Sequence, residues 1–192
     1  GCTFTALTEV GKALNEEGID YEMFQLGAGP MRDCIGCLQC SDKGCVFDDD
    51  AVNGFLQKAR EADGFVFGSP VYYAHPSGRI LSFLDRAFYA GSRNSAGSPF
   101  AGKPGAAVVS ARRGGTTASL DVLNKYFTIA SMPVVGSSYW NMVHGSKPED
   151  VLEDKEGIQT MRNLGHNMAW MLKGLHTGFP AQEMGARTNF IR

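Results

Sequence analysis

Four thiols recur at Cys34, Cys37, Cys40 and Cys45 in the pattern C-x-x-C-x-x-C-x-x-x-x-C, all within twelve residues. Thiolates crowded this way point to metal or redox chemistry, because structural disulfides are rare in a reducing compartment. Three outcomes fit the spacing: a [4Fe–4S] cluster wrapped by one short segment, an empty or disulfide-forming loop, or zinc. Zinc fits worst, since all four ligands lie in one loop with no second knuckle. The run also differs from that of bacterial ferredoxins, whose fourth cysteine comes sooner and precedes proline; here Val46 follows Cys45. The fifth cysteine, Cys2, stands apart and reads as an inert residue at a helix start. Histidines at 75, 144, 166 and 176 form no i, i+4 pair, so a histidine metal site is not expected.

A second chemistry is written in turns rich in glycine and hydroxyls. The apolar run Phe65, Val66, Phe67 stops abruptly at Gly68, Ser69 and Pro70, followed by Val71, Tyr72, Tyr73 and the turn His75, Pro76, Ser77, Gly78. A short apolar run without polar alternation reads as a strand buried on both faces, and its carboxyl end is where open α/β sheets bind ligands. Gly68 would let a ligand approach the backbone, Pro70 fixes the direction of the loop, and the two tyrosines offer flat faces to a planar ring. A second such strand, Ala106 to Val109, runs into Arg112, Arg113, Gly114, Gly115, Thr116 and Thr117. At the start of the chain, Gly1, Cys2, Thr3, Phe4 and Thr5 open a helix whose unpaired amides and dipole suit a phosphate. Thr3 and Thr5 are then either phosphate ligands or simple helix caps.

The elements that must position these groups alternate. A helix over residues 2–18 precedes a strand at 19–26, the irregular cysteine loop at 27–47, and a helix that starts at the acidic run Asp48, Asp49, Asp50. After the strand at 65–67 comes a helix over 79–89 with Arg79, Asp85 and Arg86 at its edges. The polar loop 92–102 is long enough for a lid or an interface arm. Then follow the strand at 106–109, a helix over 118–130, a last strand at 133–136, and one long helix over 151–175, with a weakly patterned tail packing on a neighbour or fraying. Alternation of this kind predicts a parallel sheet covered on both faces. No buried strand precedes the first helix, so the natural polypeptide is expected to start earlier than residue 1.

The 192 residues, 43% hydrophobic, can bury one core and are read as a single domain. A net charge of -2 leaves no broad basic surface for nucleic acid or anionic lipid. No apolar run approaches the roughly 18 to 20 residues that span a bilayer, and no signal peptide precedes the first helix, so a cytoplasmic protein acting on small molecules is expected.

In their order and spacing these pieces resemble the flavodoxin-like NADPH-dependent FMN reductases, in their iron-sulfur flavoprotein branch. The resemblance rests on Gly1-Cys2-Thr3, the cysteine loop with its acidic run, the GSPVYYAHPSG stretch, Arg112-Arg113-Gly114-Gly115, and the stretch from Val135 to Asn141. It departs at the N-terminus, where the family's first strand and the opening of its phosphate loop are absent. It implies a three-layer α/β sandwich around a doubly wound, parallel five-stranded sheet whose first strand lies upstream of residue 1. It further implies FMN, with Thr3 and Thr5 at the phosphate, Pro70, Val71, Tyr72 and Tyr73 bordering the isoalloxazine, and Ala111, Arg112, Arg113, Gly114 and Gly115 along its other edge. Arg112 or Arg113 would then bring positive charge to the pyrimidine edge, the bland alternative being a solvated or subunit-bridging charge. For Cys34, Cys37, Cys40 and Cys45 it implies the compact motif that holds a [4Fe–4S] cluster.

The expected activity is an FMN-dependent oxidoreduction from NAD(P)H or another donor to a quinone-like acceptor or the cluster, with no protein acid or base required. Two rivals stand beside it: a non-catalytic electron carrier docking on a redox protein, and a redox or metal sensor built on the cysteine loop. The loop 92–102 and the aromatics Tyr139 and Trp140 predict a homodimer or homotetramer.

Overall fold

Helix α1 (Cys2–Glu16) carries Ala6, Val10 and Leu14 on one stripe, and this stripe packs on Met161, Leu164 and Met168 of helix α6 (Lys155–Gly174). The two backbones approach closely because Gly165 faces α1, where a Cβ would stand 2.6 Å from that of Ala13. The computed structural model describes residues 1–175 and 178–180. Most of the tail expected beyond Gly178, and His176, lie outside the described residues.

Between the helices runs a four-stranded sheet of β1 (Phe65–Tyr72), β2 (His75–Pro76), β3 (Gly105–Ala111) and β4 (Met142–His144), in the order β2-β1-β3-β4. Strands β1, β3 and β4 are parallel, with Phe65 opposite Gly105 and Ala111 opposite His144. Alternate residues of β1 face opposite layers: Phe65 and Phe67 enter one core, while Val66 packs into the other with Ala106 and Val108 of β3. Every residue of β3 is buried, which is why it reads as an uninterrupted apolar run.

One face of the sheet is covered by α1, α6 and the short α5 (Pro148–Glu153). The other is covered by α2 (Ala51–Glu61), α3 (Gly78–Ser92) and α4 (Thr116–Ile129). This second core is built from phenylalanines, with Phe55 against Phe83 at 5.0 Å and Phe88 stacked on Phe100 at 4.2 Å. Each such ring removed from water contributes roughly 1.5–3 kcal/mol. The three-layer α/β sandwich and its doubly wound parallel centre are as expected from the sequence.

Several expectations are corrected. Among the described residues the sheet has four strands, so the expected fifth is not found there, and it is not all parallel: β2 is antiparallel, pairing with β1 only at Val71 and Tyr72. Residues 19–26 form no strand: a strand needs a hydrogen-bonded neighbour, and none stands beside this segment among the described residues. Side chains hold it instead, Tyr21 filling the space over Gly11 and Phe24 lying 5.4 Å from Phe55. The last strand is Met142–His144, whereas residues 133–136 contribute a single bridge from Val134 to Gly105. The long C-terminal helix is broken at Asp154, which caps α6 by accepting from Gly157 N at 2.9 Å and also accepts from His144 N at 2.7 Å. The loop at 92–102 is no free lid, since Phe100 is fully buried and both Ser95 N and Oγ donate to Asp42.

Candidate functional site

Because β1, β3 and β4 run parallel, their carboxyl ends open on one side, and three loops gather there. The start of α1 is tied to β3 by a 2.7 Å hydrogen bond between Thr3 Oγ1 and Ser110 Oγ. Its N-cap is Gly1, and no side chain caps the first turn. Thr5 lies one turn along, its hydroxyl donating to Gly1 O at 3.3 Å. Gly68 serves this packing rather than a ligand, since a Cβ there would meet Thr3 and Leu7 of α1 within 2.8 Å.

Past β1 the chain turns through two non-glycine residues in the left-handed region, Tyr73 at φ 52° and Ala74 at φ 59°. Such backbone costs about 1–3 kcal/mol per residue and persists where its surroundings over-determine it. Here they do: Ser69, fully buried, accepts from Ser77 N at 3.0 Å across the turn, and Ala74 packs against Gly115. Gly115, at φ 96°, is the N-cap of α4, and a Cβ on it would lie 2.4 Å from Ala74 Cα. Pro70 and Val71 are half-buried, Tyr72 and Tyr73 present their rings to solvent, and Ala111 is buried at the end of β3. Arg112, Arg113 and Gly114 are exposed, and among the described residues neither arginine has a hydrogen-bonding or ionic partner. The expected residues of this region are therefore gathered at one end of the sheet.

The four cysteines lie in a second site. Cys34, Cys37, Cys40 and Cys45 are free thiols that line one pocket together with Phe47, Arg86 and Tyr89. Burial pushes the Cys40 thiol up from its ordinary range, and the neighbouring Cys45, Cys37 and Cys34 push it further. Among the described residues no three Cys, His, Asp or Glu side chains are arranged to hold a single metal ion. The loop is shaped by left-handed backbone at Gly36, Leu38 and Gly44, and Asn53 of α2 clamps its end, accepting from Cys45 N at 2.8 Å and donating to Cys45 O at 2.9 Å.

Helix α3 holds the loop with a stripe that sequence reading missed. Arg79 donates to Gly29 O at 2.5 Å, Ser82 bonds Asp33, and Arg86 reaches Cys45, Phe47 and Arg32. Arg86, expected at an edge of its helix, is 1% exposed and ion-paired with Asp50. Burial opposes its charge, but Asp50 and the Cys45 sulfur more than offset this and keep it a cation. The readable signal was its spacing, three residues after Phe83 and four before Ala90, both buried. Of the acidic run, Asp50 caps α2 and Asp49 pairs with Arg32 at 2.7 Å, so the run fastens the loop as well as starting the helix.

The family model of the NADPH-dependent FMN reductases matches residues 1–147. The chain belongs to that family. Within it the chain falls in the iron-sulfur flavoprotein branch: it is 34% identical over 181 residues to an iron-sulfur flavoprotein of Methanocaldococcus jannaschii, covering 90% of this chain and 91% of that protein. An iron-sulfur flavoprotein of Methanosarcina thermophila is 28% identical over 172 residues, covering 88% of this chain and 85% of that one. Among solved structures, a flavodoxin from the domain Archaea superposes with a TM-score of 0.60 at 15% identity, over 90% of this chain and 92% of that one, which establishes the flavodoxin-like fold. Family membership makes the protein an FMN-dependent oxidoreductase at the level of chemistry. No helix among the described residues is long and apolar enough to cross a membrane.

Proposed function

We propose that the protein binds FMN across the carboxyl ends of β1, β3 and β4, holds a [4Fe–4S] cluster at Cys34, Cys37, Cys40 and Cys45, and moves electrons from NAD(P)H or another small donor to a quinone-like or other acceptor. The observation that carries the reading is the meeting of three loops there: the uncapped start of α1, the Tyr72–Tyr73 turn, and the segment from Ala111 to Gly115. Bound FMN supplies the exchange between two-electron and one-electron transfer, and a cluster supplies one-electron exchange.

The residues fit these groups on their own chemistry. Of the bonded pair Thr3 and Ser110, one hydroxyl donates to the other, and the acceptor keeps a proton for a phosphate oxygen beside the uncapped helix. Pro70 and Val71 give the ring a rigid border, Tyr72 and Tyr73 cover it, and the backbone at Gly114 lies open, with no neighbour within 4 Å of where a Cβ would stand. Arg112 and Arg113 bring unneutralised positive charge to the same end, favouring a reduced, anionic cofactor. At the cysteines, four thiolates crowded together repel one another, and a cationic metal centre removes that repulsion.

Ile35 and Leu38, 68% and 73% exposed beside the thiols, favour a second reading, in which the chain is a carrier that docks on a redox protein. Steady-state NAD(P)H oxidation with added quinone separates the two, since a carrier without a nicotinamide site shows none. Free thiols agree with a reducing, cytoplasmic setting. The FMN site itself is tested by titration: FMN binds at micromolar concentration in preference to FAD, and a chain that takes up neither flavin contradicts the reading.

A further inference from the structure

Among the described residues Arg86 is the largest fully buried side chain, and its counter-charge, Asp50, is buried beside it at 4% exposure. Removing a guanidinium from water costs several kcal/mol even when paired, and an apolar pair of similar volume in place of Arg86 and Asp50 would often be as stable or more so. What the charge contacts gives its role. Nε donates to Cys45 Sγ at 3.4 Å, Nη2 to Phe47 O at 2.9 Å, and Nη1 to Arg32 O at 3.3 Å and to Asp50. One planar fork on a rigid core helix thus fastens the cysteine loop both before its first thiol and after its last.

We propose that Arg86 is the positioning residue of the cysteine site, fixing the Cys45 sulfur for ligation and, by donating N–H to it, raising the reduction potential of the cluster bound there. The proposal rests on the cluster reading above. A hydrogen bond and a positive charge at a ligand sulfur favour the electron-rich state, and partners behind a ligand set both affinity and potential. Lysine keeps the charge but cannot span acceptors on both sides of the loop, so Arg86→Lys separates charge from positioning.

The test uses the full chain, reconstituted anaerobically with iron and sulfide. For Arg86→Lys, unchanged FMN binding and far-UV spectrum are expected, with iron affinity reduced about 10- to 100-fold and the midpoint potential shifted negative. A folded Arg86→Lys with wild-type iron affinity and potential overturns the proposal. Should the variant not fold, wild-type protein decides through the Arg86 Nε–H resonance: a paramagnetic shift on cluster loading supports the contact, and an unshifted resonance overturns it. If the wild type takes up no iron, the cluster reading fails by itself. Loop fixing is then judged by amide exchange at Cys45 to Phe47 in the metal-free chains, where exchange about tenfold faster in Arg86→Lys supports the clamp and equal exchange refutes it.

Discussion

Cys40 shows what crowding does to a thiol. Burial and three neighbouring thiols raise its pKa, so in the metal-free protein it holds its proton at pH values where an ordinary cysteine has begun to ionise. Cys34, by contrast, is exposed. Brief iodoacetamide treatment at pH 8 with mass spectrometry is expected to label Cys34 well before Cys40; equal labelling would show that the pocket does not form. The sign for stability follows. The folded state keeps a proton that the unfolded state loses, so metal-free protein loses stability as pH rises through the ordinary thiol range toward the raised value. Asn53 is the second residue with a clear energetic role. Asn53→Ala strips the Cys45 amide and carbonyl of their partners and should cost about 1–3 kcal/mol in urea unfolding while loosening the loop.

Helix contacts predict two further substitutions. Gly165→Ala places a methyl 2.6 Å from Ala13 Cβ and from Val10 O, so α1 and α6 must separate. The expected loss is about 1–3 kcal/mol, and because α1 carries Thr3, FMN affinity should fall with it. Gly115→Ala meets both a positive φ and the Ala74 backbone, and should weaken FMN binding with little change in the far-UV spectrum. The strands β1 and β3 and the helices α1 to α4 were legible because buried runs and 3.6-residue stripes are local patterns. What stayed hidden depends on neighbours. Residues 19–26 have strand-like alternation, yet a strand exists only when another offers its hydrogen bonds. Val134 and Val135 look as strand-like as Met142 and Val143, and only the register with β3 chooses between them. The strand-end loops were legible through glycines and hydroxyls, while the burial of Arg86 was not, since a charged residue is read as solvated until its counter-charge, Asp50, is placed beside it.

The two candidate sites differ in kind and share no lining residue: the strand-end loops proposed for a planar, anionic cofactor, and a thiol-lined pocket bordered by α3 and clamped by Asn53 of α2. They should therefore separate by mutation. Cys40→Ala is expected to lose iron yet keep FMN, as read by metal analysis and flavin fluorescence. Tyr139 and Trp140, packed edge to face at 4.8 Å and exposed beyond the sheet, support self-association, so light scattering should give a dimer or tetramer mass. The central claim, FMN at the strand ends with a cluster at the cysteines, is tested most directly by flavin and iron analysis of the anaerobically purified chain. About one FMN and about four iron atoms per chain are predicted. Protein that carries no flavin and takes up none at micromolar FMN contradicts the account at its centre.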